Sequence, residues 1–111
     1  MQHRHVARAL AALCAVALAF VVTGSEAAGA VHTVVIDGFA MKPPSITVKQ
    51  GDIVEWRNDD PVPHTATAKE AGLDSGSIAP GATYRFTATK KGRFGYICTF
   101  HPIMKGELIV E

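Results

Sequence analysis

The chain has 111 residues, 11 Lys and Arg against 10 Asp and Glu, and two cysteines. That length holds one domain with a thin core. The near-zero net charge excludes a basic stripe for nucleic acid or an acidic tail, and two cysteines exclude the disulfide framework common in small exported domains.

The first residues read as an export signal. Arg4 and Arg8 give a positive start, an apolar run follows from Ala9 to Val22, and small residues then offer cleavage after Ala27 or Ala30. A membrane anchor is the competing reading. The run falls short of the ~20 apolar residues that cross a bilayer and ends in Gly24, Ser25 and Glu26, so no stable anchor is expected. The expected organisation is a cleaved signal peptide, residues 1–27, and one periplasmic domain, residues 28–111. Cys14 would leave with the signal as an apolar passenger. The remaining domain carries nine Lys and Arg, nine Asp and Glu, and a single cysteine, Cys98.

From Val31 onward the signals are those of strands. Val31–Asp37 is β-branched and closes at Gly38. Pro43-Pro44 rules out helix after Met41-Lys42. Ile46–Lys49 alternates and turns at Gln50-Gly51-Asp52, Ile53–Arg57 resumes, and Asn58-Asp59-Asp60-Pro61 breaks it. His64–Ala68 reads as a short strand, and the polar stretch Lys69–Ala79 has room for one helical turn. Thr83–Ala88, Arg93–Cys98 and Gly106–Val110 complete the series, with turns at Pro80-Gly81 and Lys90-Lys91-Gly92. About seven short strands and no convincing helix predict an all-β fold: a Greek-key β-sandwich, with a small barrel as the alternative. Period-two alternation puts Phe94, Tyr96 and Cys98 on one side of their strand, facing inward.

The chemistry concentrates in Cys98-Thr99-Phe100-His101-Pro102-Ile103-Met104. A thiolate, an imidazole and a thioether stand three residues apart in one short loop. A lone exported thiol is exposed to oxidation unless something occupies it. Zinc accepts Cys and His, but a thioether suits it poorly. Two His, one Cys and a weak axial Met form a copper electron-transfer set, so a second His is needed. After the signal the chain has His32, His64 and His101. His32 lies early in a strand without polar neighbours suited to a metal and reads as an edge residue. His64 follows the stiff Pro61-Val62-Pro63 and opens a strand, where a side chain can be held at a sheet end. The predicted ligands of one copper ion are therefore His64, Cys98, His101 and Met104.

These residues, with Gly51-Asp52-Ile53-Val54-Glu55-Trp56-Arg57-Asn58, Pro63-His64-Thr65, Asp74-Ser75-Gly76, Pro80-Gly81 and Gly92-Arg93-Phe94-Gly95-Tyr96, resemble the cupredoxins, the blue copper protein family. The pieces come in that family's order and cover nearly all of Val31–Glu111. The two-residue gap between His101 and Met104, the His101-Pro102 pair and Lys105-Gly106 look like the amicyanin branch; plastocyanin and pseudoazurin, also similar, have a longer gap. Phe100 departs from the Pro usual in that loop. A start just before Val31 lacks the branch's N-terminal extension, so the chain resembles a minimal form.

The resemblance implies a type 1 copper protein that shuttles single electrons and is not an enzyme, with a copper carrier or buffer as the alternative. It implies that the Thr65 N–H donates to the Cys98 sulfur and that Asn58 ties the His64 loop to the Cys98 loop. Phe100 and Pro102 would adjoin the ligands, Phe100 altering solvent access and hydrogen bonding at the sulfur. Met41, Pro63, Phe100, Pro102 and Ile103 would form an exposed apolar patch around His101 for brief docking. The implied partners are redox proteins, a c-type cytochrome as acceptor and a quinone-dependent methylamine dehydrogenase as donor, met by a monomer.

Overall fold

The structure, a computed structural model, describes residues 12, 14–19 and 29–111. The expected leader 1–27 otherwise lies outside the described residues, and the described part of it forms neither helix nor strand. Among the described residues no helix is long and apolar enough to cross a membrane.

Among the described residues nine strands run in chain order: β1 Val31–Asp37, β2 Ala40–Lys42, β3 Ser45–Val48, β4 Ile53–Asn58, β5 Thr67–Ala68, β6 Leu73–Asp74, β7 Thr83–Thr87, β8 Gly92–Ile97 and β9 Lys105–Val110. One 3-10 turn, Lys69–Ala71, sits where a helical turn was expected and ends on Gly72 in the left-handed region (φ 77°). The strands form two sheets, ordered β2-β1-β4-β7 and β3-β9-β8-β5-β6. This is the predicted all-β Greek-key sandwich. β2 and β6, two or three residues long, were not predicted: so few residues show no alternation. The expected strand from His64 shrinks to Thr67–Ala68; His64 instead forms an isolated bridge with Ile78, through N–H···O bonds of 3.2 and 2.7 Å.

The core is the inward half of each alternating strand. Val34 and Ile36 of β1, Val54 and Trp56 of β4, Tyr96 of β8 and Leu108 of β9 are all buried. Burying one such side chain contributes roughly 1.5–3 kcal/mol. Trp56 from one sheet meets Tyr96 from the other edge to face, ring centroids 5.4 Å apart. β1 and β4 run parallel, with Val31 opposite Ile53 and Ile36 opposite Asn58. Their two ends therefore define two poles of the sandwich.

At the pole where these strands begin, Asp52 acts as a latch. It accepts the Ala30 N–H (3.0 Å) and Lys49 N–H (3.0 Å), and its Oδ2 lies 2.9 Å from His32 Nε2. The Lys49 N–H, then the His32 ring, hold the Asp52 carboxyl below the usual carboxylate range. This corrects the reading of His32 as a plain edge residue: strand geometry carries its ring onto a carboxylate 20 positions away. At the other pole the β1–β2 turn, the segment after β4 and the loop between β8 and β9 converge.

Candidate metal centre

Cys98 directly follows β8, and the alternation that buries Phe94 and Tyr96 carries its thiol inward, with no solvent exposure. The chain then makes two successive turns. The His101 N–H donates to Cys98 O (3.2 Å) and the Met104 N–H to His101 O (2.8 Å). The Cys98 N–H closes the loop on Met104 O at 3.0 Å. A spacing of three thus equals one turn, which is how a seven-residue loop brings three donors together.

His64 reaches the same point from the segment after β4. Its Nδ1 lies 3.7 Å from Cys98 Sγ, and His101 Nδ1 lies 3.8 Å from it. One donor atom from each of His64, Cys98 and His101 falls within 4.8 Å of the others. A metal at about 2.3 Å from sulfur and 2.0–2.1 Å from nitrogen spaces S and N by about 3.8 Å in a trigonal plane and about 3.6 Å in a tetrahedron. The observed separations, 3.7 and 3.8 Å, are in the range of donors that share one metal ion. Met104 is buried and closes the ligand loop, where a thioether favours copper over zinc.

The surroundings hold these donors. The Thr65 N–H donates to Cys98 Sγ at 3.3 Å, as the resemblance implied. Asn58 departs from expectation. Its Nδ2 donates to the carbonyls of Val62 and Ile78, both at 2.9 Å, and its Oδ1 accepts the Asp60 N–H at 3.0 Å. It braces the His64 loop from below but does not reach the Cys98 loop, because it ends β4 in the opposite sheet. Thr65 makes that tie instead: its Oγ1 accepts the Thr99 N–H at 2.8 Å and lies 3.1 Å from Thr99 Oγ1.

Two residues at the site went unread in the sequence. Asp60 Oδ2 lies 2.8 Å from His64 Nε2. Burial pushes the Asp60 carboxyl up, but the Phe39 N–H, His64 and the Gly38 N–H outweigh it and hold it below the usual carboxylate range. Phe39 packs its ring T-shaped on both His64 and His101, centroids 5.1 Å from each. The sequence carried one usable signal: an Asp four residues before a candidate ligand.

Of the five residues expected in a surface patch, four are exposed and one is not. Pro63, Phe100, Pro102 and Ile103 are exposed, Ile103 at 88%. Met41 is not part of it: at 3% exposure it lies in the core on β2, opposite Ile36. Phe39, 48% exposed, lies at the surface against His101. The ring that packs on His101 is that of Phe39, while Phe100 points outward. His64 is fully buried; His101 alone of the two imidazoles reaches the surface.

Two imidazoles gathered on one buried sulfur, with a buried methionine at the end of the same loop and all at one pole of a Greek-key sandwich, are the donor types of a mononuclear blue copper protein, and its cofactor is one type 1 copper ion. The comparison with known proteins agrees: the cupredoxin-like domain matches residues 10–110, and the chain belongs to that family. Amicyanin-alpha of Methylorubrum extorquens is 33% identical over 119 residues, covering 94% of this chain and 99% of that protein. Amicyanin of Paracoccus denitrificans is 35% identical over 85 residues, 70% of this chain and 65% of its own. Among solved structures, an oxidized mutant of amicyanin is similar with a TM-score of 0.67 and 34% identity, covering 75% of this chain and 83% of that one. The relatives and the site together make this a blue copper electron-transfer protein of the amicyanin and plastocyanin kind.

Proposed function

We propose that the protein is a periplasmic carrier that takes one electron from one redox protein and delivers it to another, and that His64, Cys98, His101 and Met104 would hold its copper ion. The observation that carries this reading is the 3.7 and 3.8 Å spacing of the imidazole nitrogens about one buried sulfur. Bound copper supplies the one-electron step between Cu(II) and Cu(I). The protein supplies a donor set that serves both states: imidazole nitrogen suits Cu(II), thiolate and thioether suit Cu(I). The backbone bonds of the ligand loop and of His64 to Ile78 hold the donors in place, so little has to move when the charge changes.

His101, partly exposed among Phe39, Pro63, Phe100, Pro102 and Ile103, is where electrons enter and leave. An apolar rim of this size suits a short-lived encounter, since redox complexes bury less than about 1,200 Å². By the resemblance, a c-type cytochrome is the acceptor and a methylamine dehydrogenase the donor, and the carrier works as a monomer.

Export follows from the leader, and cleavage after Ala27 fits the fold better than cleavage after Ala30. The Ala30 N–H donates to Asp52, and Ala30 O accepts the Ile53 N–H at 2.9 Å. A cut after Ala30 forfeits both bonds. The intact mass of the exported protein should place the first residue at Ala28; a mass starting at Val31 refutes this.

The function is tested with oxidised, copper-loaded protein. It should be intensely coloured, be bleached by one equivalent of a one-electron reductant, and recover its colour on reoxidation. A colourless Cu(II) form, or copper lost on reduction, points to metal carriage instead.

A further inference from the structure

The turn between β1 and β2 is built in an unfavourable way. Gly38 and Phe39 both have positive φ, 61° and 57°. A two-residue turn with both centres in this region favours Gly, Asn and Asp. A bulky side chain there is an outlier, and it persists only where its surroundings over-determine it.

The surroundings lead to the metal site. The Gly38 N–H donates to Asp60 Oδ1 at 2.7 Å and the Phe39 N–H to Oδ2 at 2.9 Å. The same Oδ2 meets His64 Nε2 at 2.8 Å. The Asp60 carboxylate is 5% exposed, and its own N–H is tied to Asn58. An ionised carboxylate only accepts hydrogen bonds, so this contact favours the His64 tautomer with its proton on Nε2 and the Nδ1 lone pair toward Cys98. Above this the Phe39 ring stands nearly perpendicular to both imidazoles, at 85° and 84°. The imidazole centroids lie 5.2 Å apart. One buried carboxylate therefore fixes a ligand's tautomer and the strained turn whose ring packs against both histidines.

We propose that Asp60 is a positioning residue that sets the tautomer and donor strength of His64 and, by holding Phe39 in its left-handed conformation, fixes the planes of both imidazoles. This rests on the ligand assignment above. A carboxylate behind an imidazole raises its basicity, which favours Cu(II) over Cu(I). Asn in its place removes the charge and turns one acceptor into a donor, leaving at least one of the three N–H groups unpaired.

The test compares wild type, Asp60→Asn, Asp60→Glu and Phe39→Gly, each checked for fold by circular dichroism. In metal-free wild type, nitrogen NMR should place the His64 proton on Nε2. A predominant Nδ1–H form overturns the proposal whatever copper does. With copper bound, Asp60→Asn should shift the Cu(I):Cu(II) ratio at a fixed applied potential about tenfold toward Cu(I), ~59 mV for one electron. Asp60→Glu, which keeps the charge, should recover most of that shift. A ratio within twofold of wild type in Asp60→Asn overturns the role of the carboxylate. Phe39→Gly accepts the same backbone conformation without the ring; in its Cu(I) form the ring-proton signals of His64 and His101 should broaden or double. Unchanged signals overturn the role of Phe39. Wild type that holds copper without a reversible one-electron couple refutes the electron-transfer reading, and the metal-free tautomer then decides this proposal separately.

Discussion

Replacing Cys98 with Ser should abolish the intense colour of the copper-loaded protein and weaken copper binding by well over the ~10–100-fold that loss of an outer-shell partner costs. The thiolate is the soft, anionic member of the set, and the metal removes its proton outright. A serine hydroxyl stays protonated and is a poor, hard donor. It also ends a shorter bond, so it cannot occupy the point that lies 3.7 and 3.8 Å from the two imidazole nitrogens. The fold should persist, because the buried hydroxyl inherits the Thr65 N–H as a partner, and a hydrogen-bonded polar group there alters stability by only about 1 kcal/mol. Far-ultraviolet circular dichroism should therefore match wild type while the visible band is gone. Retained colour would exclude this thiolate as the ligand.

The parts of the molecule that were legible in the sequence are those in which one short-range rule decides the outcome. β1 and β8 are long enough for alternation to separate core from surface, and the inward run Phe94, Tyr96, Cys98 follows from period two alone. The Cys98–Met104 loop was legible because a spacing of three matches one turn. The pairing of strands was not. β1 runs parallel to β4 and β3 to β9, and nothing local to either partner states this: parallel neighbours are joined by long connections whose path depends on the whole sheet. The two missed residues share that origin. Phe39 lies in a conformation its side chain disfavours, so propensity argues against it. Asp60 receives N–H groups 21 and 22 positions away. Met41 and Asn58 were misplaced for the complementary reason: each sits near the ligands in sequence or by analogy, but the sheet it belongs to turns Met41 into the core and aims Asn58 at Val62 and Ile78.

Gly106→Ala should be a severely damaging addition of a single methyl group, costing about 3 kcal/mol or more where overpacking usually costs 1–3. The cause is space rather than backbone freedom: Gly106 is absent from the positive-φ glycines, and the ring of its cross-strand partner Tyr96 lies directly over it. A Cβ there would fall inside contact distance of Tyr96 Cζ, Oη and Cε1. The ring cannot yield, because it is 1% exposed and abuts Trp56, which is fully buried. For a domain this small, a loss of that size should lower the melting temperature by roughly 10–20 °C. In a Tyr96→Leu background the same substitution should cost less than half as much, a coupling that a double-mutant cycle measures; an equal cost in both backgrounds would mean the ring is not the obstacle. The damage should also reach the metal centre. Tyr96 and Gly106 are opposed one register step before Ile97 and Lys105, the pair from which the ligand loop springs. Forcing β8 and β9 apart there moves Cys98 and Met104 relative to each other, so copper affinity should fall along with stability, although the altered residue touches no ligand.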